Sequence, residues 1–307
     1  MTQKPDICVV IPTRNRAALL GRCLASLGEQ ALDKARFEVC VVNNGSTDQT
    51  VQAVDLVRAH YPDLRLTFID EPRLGVAYAR NTGIEHTVAP LVVQGDDDAT
   101  VPTDWLEKFI ASFAALGPDI GKIGGDVIPV WGAPRPAWMT DAMLPLLTAA
   151  SGFGTAPRFV DEGLLECNGC YRREALAAAG HFPTTLGRKG NSLLSAEHAV
   201  DLVMHVAGWK LYYDPSIVIH HHIHADRMTP AWMRRRYFWQ GVSDSAIYAY
   251  LRSKGFNINR GVAVDLPLNP AEWAFVNDVN TPPDEAHLNR LRSLGFILAQ
   301  SGLLPTD

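Results

Sequence analysis

Residues 94–102 read QGDDDATVP, three consecutive carboxylates placed just after the apolar run Leu91–Val93. Adjacent carboxylates repel one another, so Asp96, Asp97 and Asp98 are costly together unless water or a cation neutralises them. A solvated acidic turn is the plain alternative. Position favours a site: the triplet ends a short apolar run of the kind found in strands buried on both faces of a parallel sheet. Ligands of such sheets sit beyond the carboxyl ends of the strands. Two aspartates two positions apart can there orient a divalent ion and a nucleotide ribose together.

Upstream, the same rhythm repeats. Ile7–Ile11 is a continuous apolar run stopped by Pro12, and Ala17–Gln30 follows with apolar residues at helical spacing. Phe37–Val42 is a second strand, ended by the turn residues Asn43, Asn44, Gly45 and Ser46. Ser46, Thr47 and Asp48 start a helix that runs to about Tyr61. Leu64–Ile69 predicts a third strand, Val76–Glu85 a helix, and Thr103 caps another helix lasting to Leu116. Alternating strands and helices predict an α/β fold, a mostly parallel sheet with helices on both faces. Three polar clusters, PTRNR, NNGSTD and QGDDD, then fall at strand ends. Taken singly, the first two are equally well a basic loop and a capped helix start. Arg73, Arg80 and Asn81 add the positive charge and hydrogen-bond donors that a diphosphate needs. Neither Gly-x-x-x-x-Gly-Lys-Ser/Thr nor Gly-x-Gly-x-x-Gly is present, so the P-loop and dinucleotide signatures fail.

From Gly121 the rhythm changes. Pro129, Pro134 and Pro136 alternate with Trp131 and Trp138, which predicts an irregular stretch. Arg172–Ala179 and Ala196–Ala207 read as helices, Trp209–Tyr213 and Ile217–His220 as short strands. Pro230–Leu251 reads as a long amphipathic helix carrying Arg234, Arg235 and Arg236 on a solvated face, and Asp284–Gln300 as a last helix. The expected division is 1–225 for the catalytic domain, with a nucleotide-binding half (1–120) and an acceptor half (121–225). Residues 226–307 then form a C-terminal helical extension.

Of the 307 residues 47% are hydrophobic and 20% charged, which allows a real core. The net charge of −5 argues against a general nucleic-acid binder. Five scattered cysteines, with Cys167-x-x-Cys170 lacking a second pair, read as buried reduced thiols. Together with the short apolar run at the start, this predicts a cytoplasmic protein with at most peripheral membrane contact. Self-association into a homo-oligomer stays open.

VVIPTRNRAALLGRCLASL, VVNNGSTDQT, RLGVAYARNTGI and QGDDDATVPTDWL, in this order and spacing, resemble the nucleotide-binding half of family 2 glycosyltransferases. The resemblance continues through GGDVIPVW, CNGCYRREAL and the segment ending RRYFWQG, so it covers roughly residues 6–245. It implies the GT-A fold and inverting transfer of one sugar from a nucleotide-diphospho-sugar, UDP-linked in the first instance. The acceptor would be a glycan, a lipid-linked molecule or a small molecule, and the cofactor Mn2+ or Mg2+. Pro12, Thr13, Arg14 and Asn43 would line the nucleobase pocket, and Arg80 would approach the diphosphate. Asp96, Asp97 and Asp98 match the family's DxD element, with Asp96 near the ribose and Asp98 on the metal. Asn168 matches a position at the sugar and acceptor end. Trp131 is a candidate platform for a sugar face, packing of the Pro-rich loop being the alternative, and Arg227 is within reach of the diphosphate. The absence of Gln-x-x-Arg-Trp favours single transfer over polymerisation.

Two positions depart from the pattern. Asn43 stands where the family usually has Asp, which weakens the case for uracil. The family's Glu-Asp pair appears as Glu197-His198, leaving Glu197 and His198 as the candidates for general base. Near neutral pH an imidazole is suited to that work. The histidine-rich IHHHIHADR, residues 219–227, cannot gather all its rings on one ion if extended, because successive side chains face opposite ways. The resemblance places the metal-binding histidine at His221, with His220 as its rival. A nucleotide-sugar-binding protein without catalysis and a sugar-phosphate nucleotidyltransferase are the competing readings. The latter normally carries a Gly-rich loop that PTRNR lacks.

Overall fold

The computed structural model describes residues 4–161, 163–188, 197–256 and 281–302, with the side chain of Glu197 outside the described set. Strands β1 (Ile7–Thr13), β2 (Phe37–Asn43), β3 (Leu66–Asp70) and β4 (Leu91–Gly95) form a parallel array in the order β3-β2-β1-β4. Their continuous apolar runs have a direct cause. Ile7, Val9 and Ile11 enter one core, while Cys8 and Val10 enter another on the opposite face. Helices α1 (Ala17–Gly28), α2 (Thr50–His60) and α4 (Trp105–Leu116) supply buried residues to the first core. Helices α3 (Val76–Glu85), α5 (Arg173–Ala178) and α6 (Glu197–Val206) supply the second. The five cysteines are free and buried among these apolar groups, and burial pushes the Cys8 and Cys40 thiols up to about 12.

Beyond β4 the sheet continues through β8 (Asn168–Arg172), β6 (Ile120–Trp131) and β9 (Lys210–Ile223) to β5 (Ala99–Thr100). β7 (Arg158–Val160) pairs with β9. Three expectations need correcting here. The Pro-rich stretch starts as regular structure: β6 runs to Trp131, held by a parallel ladder to β9 that includes Pro129 opposite His221. The two short strands expected at 209–220 are one strand. Its middle, around Pro215, bulges out of the ladder between the pairs Gly124–Tyr213 and Asp126–Val218. Gly125 lets the bulge close, since a Cβ there would lie 2.0 Å from the Ile217 carbonyl oxygen. Thr103 does not cap α4, whose N-cap is Asp104. Helix α1 stops short of Gln30 because that side chain turns inward, donating to Pro102 O at 2.7 Å and accepting from Leu106 N at 3.2 Å.

The C-terminal helices α7 (Pro230–Ser253) and α8 (Glu285–Ser301) pack on each other. Thr229 and Asp284 cap their starts by accepting from Trp232 N and His287 N. The arginine run is not a solvated face: Arg234 is 1% and Arg236 7% exposed, and only Arg235 points outward. Among the described residues no helix is long and apolar enough to cross a membrane.

The α7–α8 contact is backbone-close. A Cβ on Gly241 would lie 1.7 Å from Arg292 O, and one on Gly295 2.0 Å from Phe238 O. Backbone cannot yield as a side-chain tip does, so Gly241→Ala should separate the helices. The expected loss is about 3 kcal/mol, read as a lower midpoint in denaturant unfolding.

Candidate active site

The carboxyl ends of β1 and β4, the loop after β2 and the start of α7 converge on a cavity of about 520 Å³. Pro12, Thr13, Arg14 and Asn44 line it from the first strand ends, and Asp96, Asp97 and Asp98 from β4. His221 and Arg227 enter from β9 and the turn after it, while Arg236 and Gln240 of α7 and Arg292 of α8 complete the wall.

Fixed cations and hydrogen bonds hold the acidic triplet. Thr13 donates to Asp97 Oδ2 at 2.7 Å. Arg16 Nη1 reaches Asp97 Oδ1 at 2.9 Å and Asp98 Oδ2 at 2.6 Å. Arg80, buried at 4% exposure, lies 3.6 Å from Asp96, and Arg227 the same distance from Asp98. Burial raises the Asp97 carboxyl to about 6, with Arg16 opposing that rise. Burial also works against the Asp98 charge, but His221, Arg16 and Arg227 outweigh it and hold Asp98 well below the usual carboxylate range. Asp98 is therefore held charged, in contrast to Asp97.

His221 supplies the test of whether a cation fits. It is 2% exposed, with Nδ1 3.0 Å from Thr148 O and Nε2 3.1 Å from Asp98 Oδ1. A carbonyl can only accept, so Nδ1 carries the hydrogen. In the neutral ring Nε2 then turns a lone pair toward a carboxylate oxygen, an arrangement that requires a positive charge between them. A proton on Nε2 meets that need, and so does a metal ion. A ring pinned through its other nitrogen by a carbonyl is the usual support of a metal-binding histidine. Ligand atoms of Asp96, Asp98 and His221 all lie within 4.8 Å of one another, as one ion requires. The residues present thus fit a divalent cation. The alternation expected of IHHHIHADR holds: His221 is buried, while His220 and His222 are only partly buried.

Several other expected site residues lie elsewhere. Asn43 does not line the cavity: its amide donates to Asp70 at 2.7 Å and its oxygen accepts from Ser46 N. Asn44 lines it instead, accepting from Gly75 N and donating to Glu71 O and Arg73 O. Asn168 is fully buried and spent on the core, accepting from Trp105 Nε1 at 2.9 Å and donating to Asp126 O and Ile217 O. Trp131 packs against the cluster around Met139 and Met143, not on the cavity. His198 lines the cavity, and the side chain of Glu197 lies outside the described residues.

The sequence reading missed Arg16 as the counter-ion, although PTRNR contains it. The available signal was a basic residue just past β1, the strand that pairs with β4. It also missed Glu166, which lines the cavity on a buried network with Lys122, Tyr171 and Asp201. Nothing local marks Lys122 as buried, because its partners lie 42 to 79 positions away.

A sequence model of the family described as "Glycosyl transferase family 2" matches residues 8–133. A glucosyl-dolichyl phosphate glucuronosyltransferase from Haloferax volcanii is 29% identical over 210 residues, covering 67% of this chain and 66% of that protein. A validoxylamine A glucosyltransferase from Streptomyces hygroscopicus subsp. jinggangensis is 39% identical over 116 residues, 37% of this chain and 27% of that protein. The chain thus spans less than two thirds of the length of these curated relatives. Among solved structures, the mannosyltransferase PcManGT from Pyrobaculum calidifontis, in complex with GDP-Man and Mn2+, superposes with a TM-score of 0.61. That superposition covers 99% of this chain and 77% of that one at 23% identity.

Proposed function

Because this chain belongs to glycosyltransferase family 2 and carries the GT-A fold, we propose that it transfers a single sugar, with inversion, from a nucleotide-diphospho-sugar to a hydroxyl acceptor. The observation that carries the reading is the Asp96, Asp98 and His221 cluster at the cavity wall. A bound Mn2+ or Mg2+ would supply positive charge against the departing nucleoside diphosphate. Asp98 and His221 would hold that ion, with Asp96 completing it or accepting from the ribose. Arg80 and Arg227 would face the diphosphate, and Pro12, Thr13, Arg14 and Asn44 the nucleoside. That a mannosyltransferase of the same fold is found in complex with GDP-Man and Mn2+ supports a nucleotide-sugar and a divalent ion as the ligands. The acceptor is a glycan, lipid-linked or small molecule, and the lipid-linked kind brings peripheral contact with a membrane.

Inversion needs a base on the acceptor side. The acceptor oxygen attacks the anomeric carbon, the carbon–oxygen bond to the diphosphate breaks with its electron pair, and the base takes the hydroxyl proton. Glu197 and His198, at the start of α6, are the groups for this, with Glu197 preferred. Glu197→Ala is expected to remove transfer while sparing nucleotide binding. Near-normal turnover in that variant would pass the role to His198. The proposal as a whole is tested by thermal shift with nucleoside diphosphates and nucleotide-sugars plus Mn2+. One family of donors should raise the melting temperature, and no shift with any of them would refute the reading.

A further inference from the structure

Glu166 is a buried acid that the transfer mechanism leaves unused. Its side chain is 2% exposed, and it lines the cavity. One oxygen is fully occupied: Oε1 accepts from Lys122 Nζ at 2.9 Å and from the Tyr171 hydroxyl. The other oxygen, Oε2, is buried and has no hydrogen-bond partner among the described residues. A buried carboxylate oxygen without a donor is unfavourable, and native structures rarely leave one so. The rest of the network makes the arrangement rigid. Lys122 also binds Asp201 at 2.8 Å and Leu164 O at 2.9 Å, and Asp201 in turn accepts from Gly163 N and Leu164 N. One ammonium thus serves two carboxylates, and the trio keeps a negative charge when all are ionised.

The position of Glu166 says what would meet it. Two residues later, Asn168 pairs with Gly95, the residue immediately before Asp96. Glu166 therefore enters the sheet beside the acidic triplet, next to the place assigned above to the diphosphate. The group covalently bonded to that diphosphate is the donor's sugar.

We infer that Glu166 reads the donor's sugar: Oε2 accepts a hydrogen bond from a hydroxyl of the glycosyl group, which selects a neutral hexose over a uronic acid. Lys122 and Tyr171 are positioning residues, fixing Oε1 so that Oε2 is offered to the ligand. A second carboxylate at this spot would meet the network's negative charge at close range. The inference rests on the proposed function, since it needs a nucleotide-sugar in the cavity.

The test compares ligand binding in the presence of Mn2+. UDP and GDP are titrated first, then the hexose and hexuronate conjugates of whichever binds (UDP-glucose and UDP-glucuronate, or GDP-mannose and GDP-mannuronate). Wild type should bind the hexose conjugate more tightly than the bare diphosphate and should disfavour the hexuronate. Glu166→Gln and Glu166→Asp should bind the bare diphosphate as wild type does but lose about 10- to 100-fold on the hexose conjugate. Glu166→Gln should also lose the discrimination against the hexuronate. If a diphosphate binds and Glu166→Gln keeps the full gain from the sugar, this inference is overturned and the proposed function stands. If no nucleoside diphosphate of a wider panel (UDP, GDP, ADP, CDP and dTDP) binds wild type, the proposed function falls and takes the inference with it. Should Glu166→Gln fail to fold, Tyr171→Phe frees Oε1 while keeping the charge. Its expected result is a several-fold loss confined to the sugar conjugate, and an unchanged gain from the sugar would overturn the inference in the same way.

Discussion

Asp98→Asn is expected to lower sugar transfer by about 1000-fold or more, equivalent to about 4 kcal/mol of transition-state stabilisation. No other carboxylate in the triplet contacts His221, Arg16 and Arg227 together. These groups hold the Asp98 carboxyl well below the usual carboxylate range, whereas burial raises that of Asp97. An amide of the same shape keeps hydrogen bonding but removes the charge that a divalent ion needs. Steady-state release of nucleoside diphosphate, measured across a range of Mn2+ concentrations, checks this. The residual rate should not be restored by excess metal. Activity within tenfold of wild type would mean that Asp98 serves only to tie β4 to β9. Some loss of stability is expected as well, because Arg227 is 8% exposed and lies 3.6 Å from Asp98.

Lys122→Met should be the most damaging substitution for stability. Lys122 is 0% exposed, and its ammonium is shared by Glu166 and Asp201, both 4% exposed or less. Removing one partner of a buried ionic group strands the others, at a cost of about 3–5 kcal/mol. The pH dependence has a defined sign. Burial already raises the Asp201 carboxyl, with Lys122 opposing that rise, so loss of Lys122 raises it further. A carboxyl whose folded pKa lies above its unfolded value near 4 destabilises the fold progressively as pH rises from that value toward the folded pKa. The deficit of the variant should therefore be largest at neutral pH and shrink as pH falls toward 4. Urea unfolding of both proteins between pH 4 and pH 8 measures it. A deficit independent of pH would show that lost packing, not stranded charge, is the cause.

The amino-terminal half of the fold was legible because each segment carried its own signal. Ile7–Ile11 and Phe37–Val42 are apolar on both sides, since the sheet is covered on both faces, and Val76–Glu85 is bounded by Gly75 and His86. Beyond Gly121 the signals are tertiary. β6 tolerates Pro129 because its ladder to β9 carries pairing on either side of that position, and β9 hides its continuity behind the bulge at Pro215. The arginines of α7 look solvent-facing by charge alone, yet Arg234 and Arg236 are buried against partners distant in sequence. In the site, the acidic triplet was readable at a strand end, whereas alternation only divided the histidines between two faces and the family resemblance chose His221 over His220. Asn44 was not readable, since its role depends on which of Asn43 and Asn44 turns toward the cavity, and Glu166 was not, since its partner Lys122 lies 44 positions away.

The most direct test of the metal assignment is electron paramagnetic resonance of Mn2+ bound with the nucleoside diphosphate that stabilises the protein. Wild type and His220→Ala should show nitrogen hyperfine coupling from one coordinated imidazole. His221→Ala should lose that coupling together with most of the metal affinity. Coupling that survives in His221→Ala, or that vanishes in His220→Ala instead, would contradict the site described.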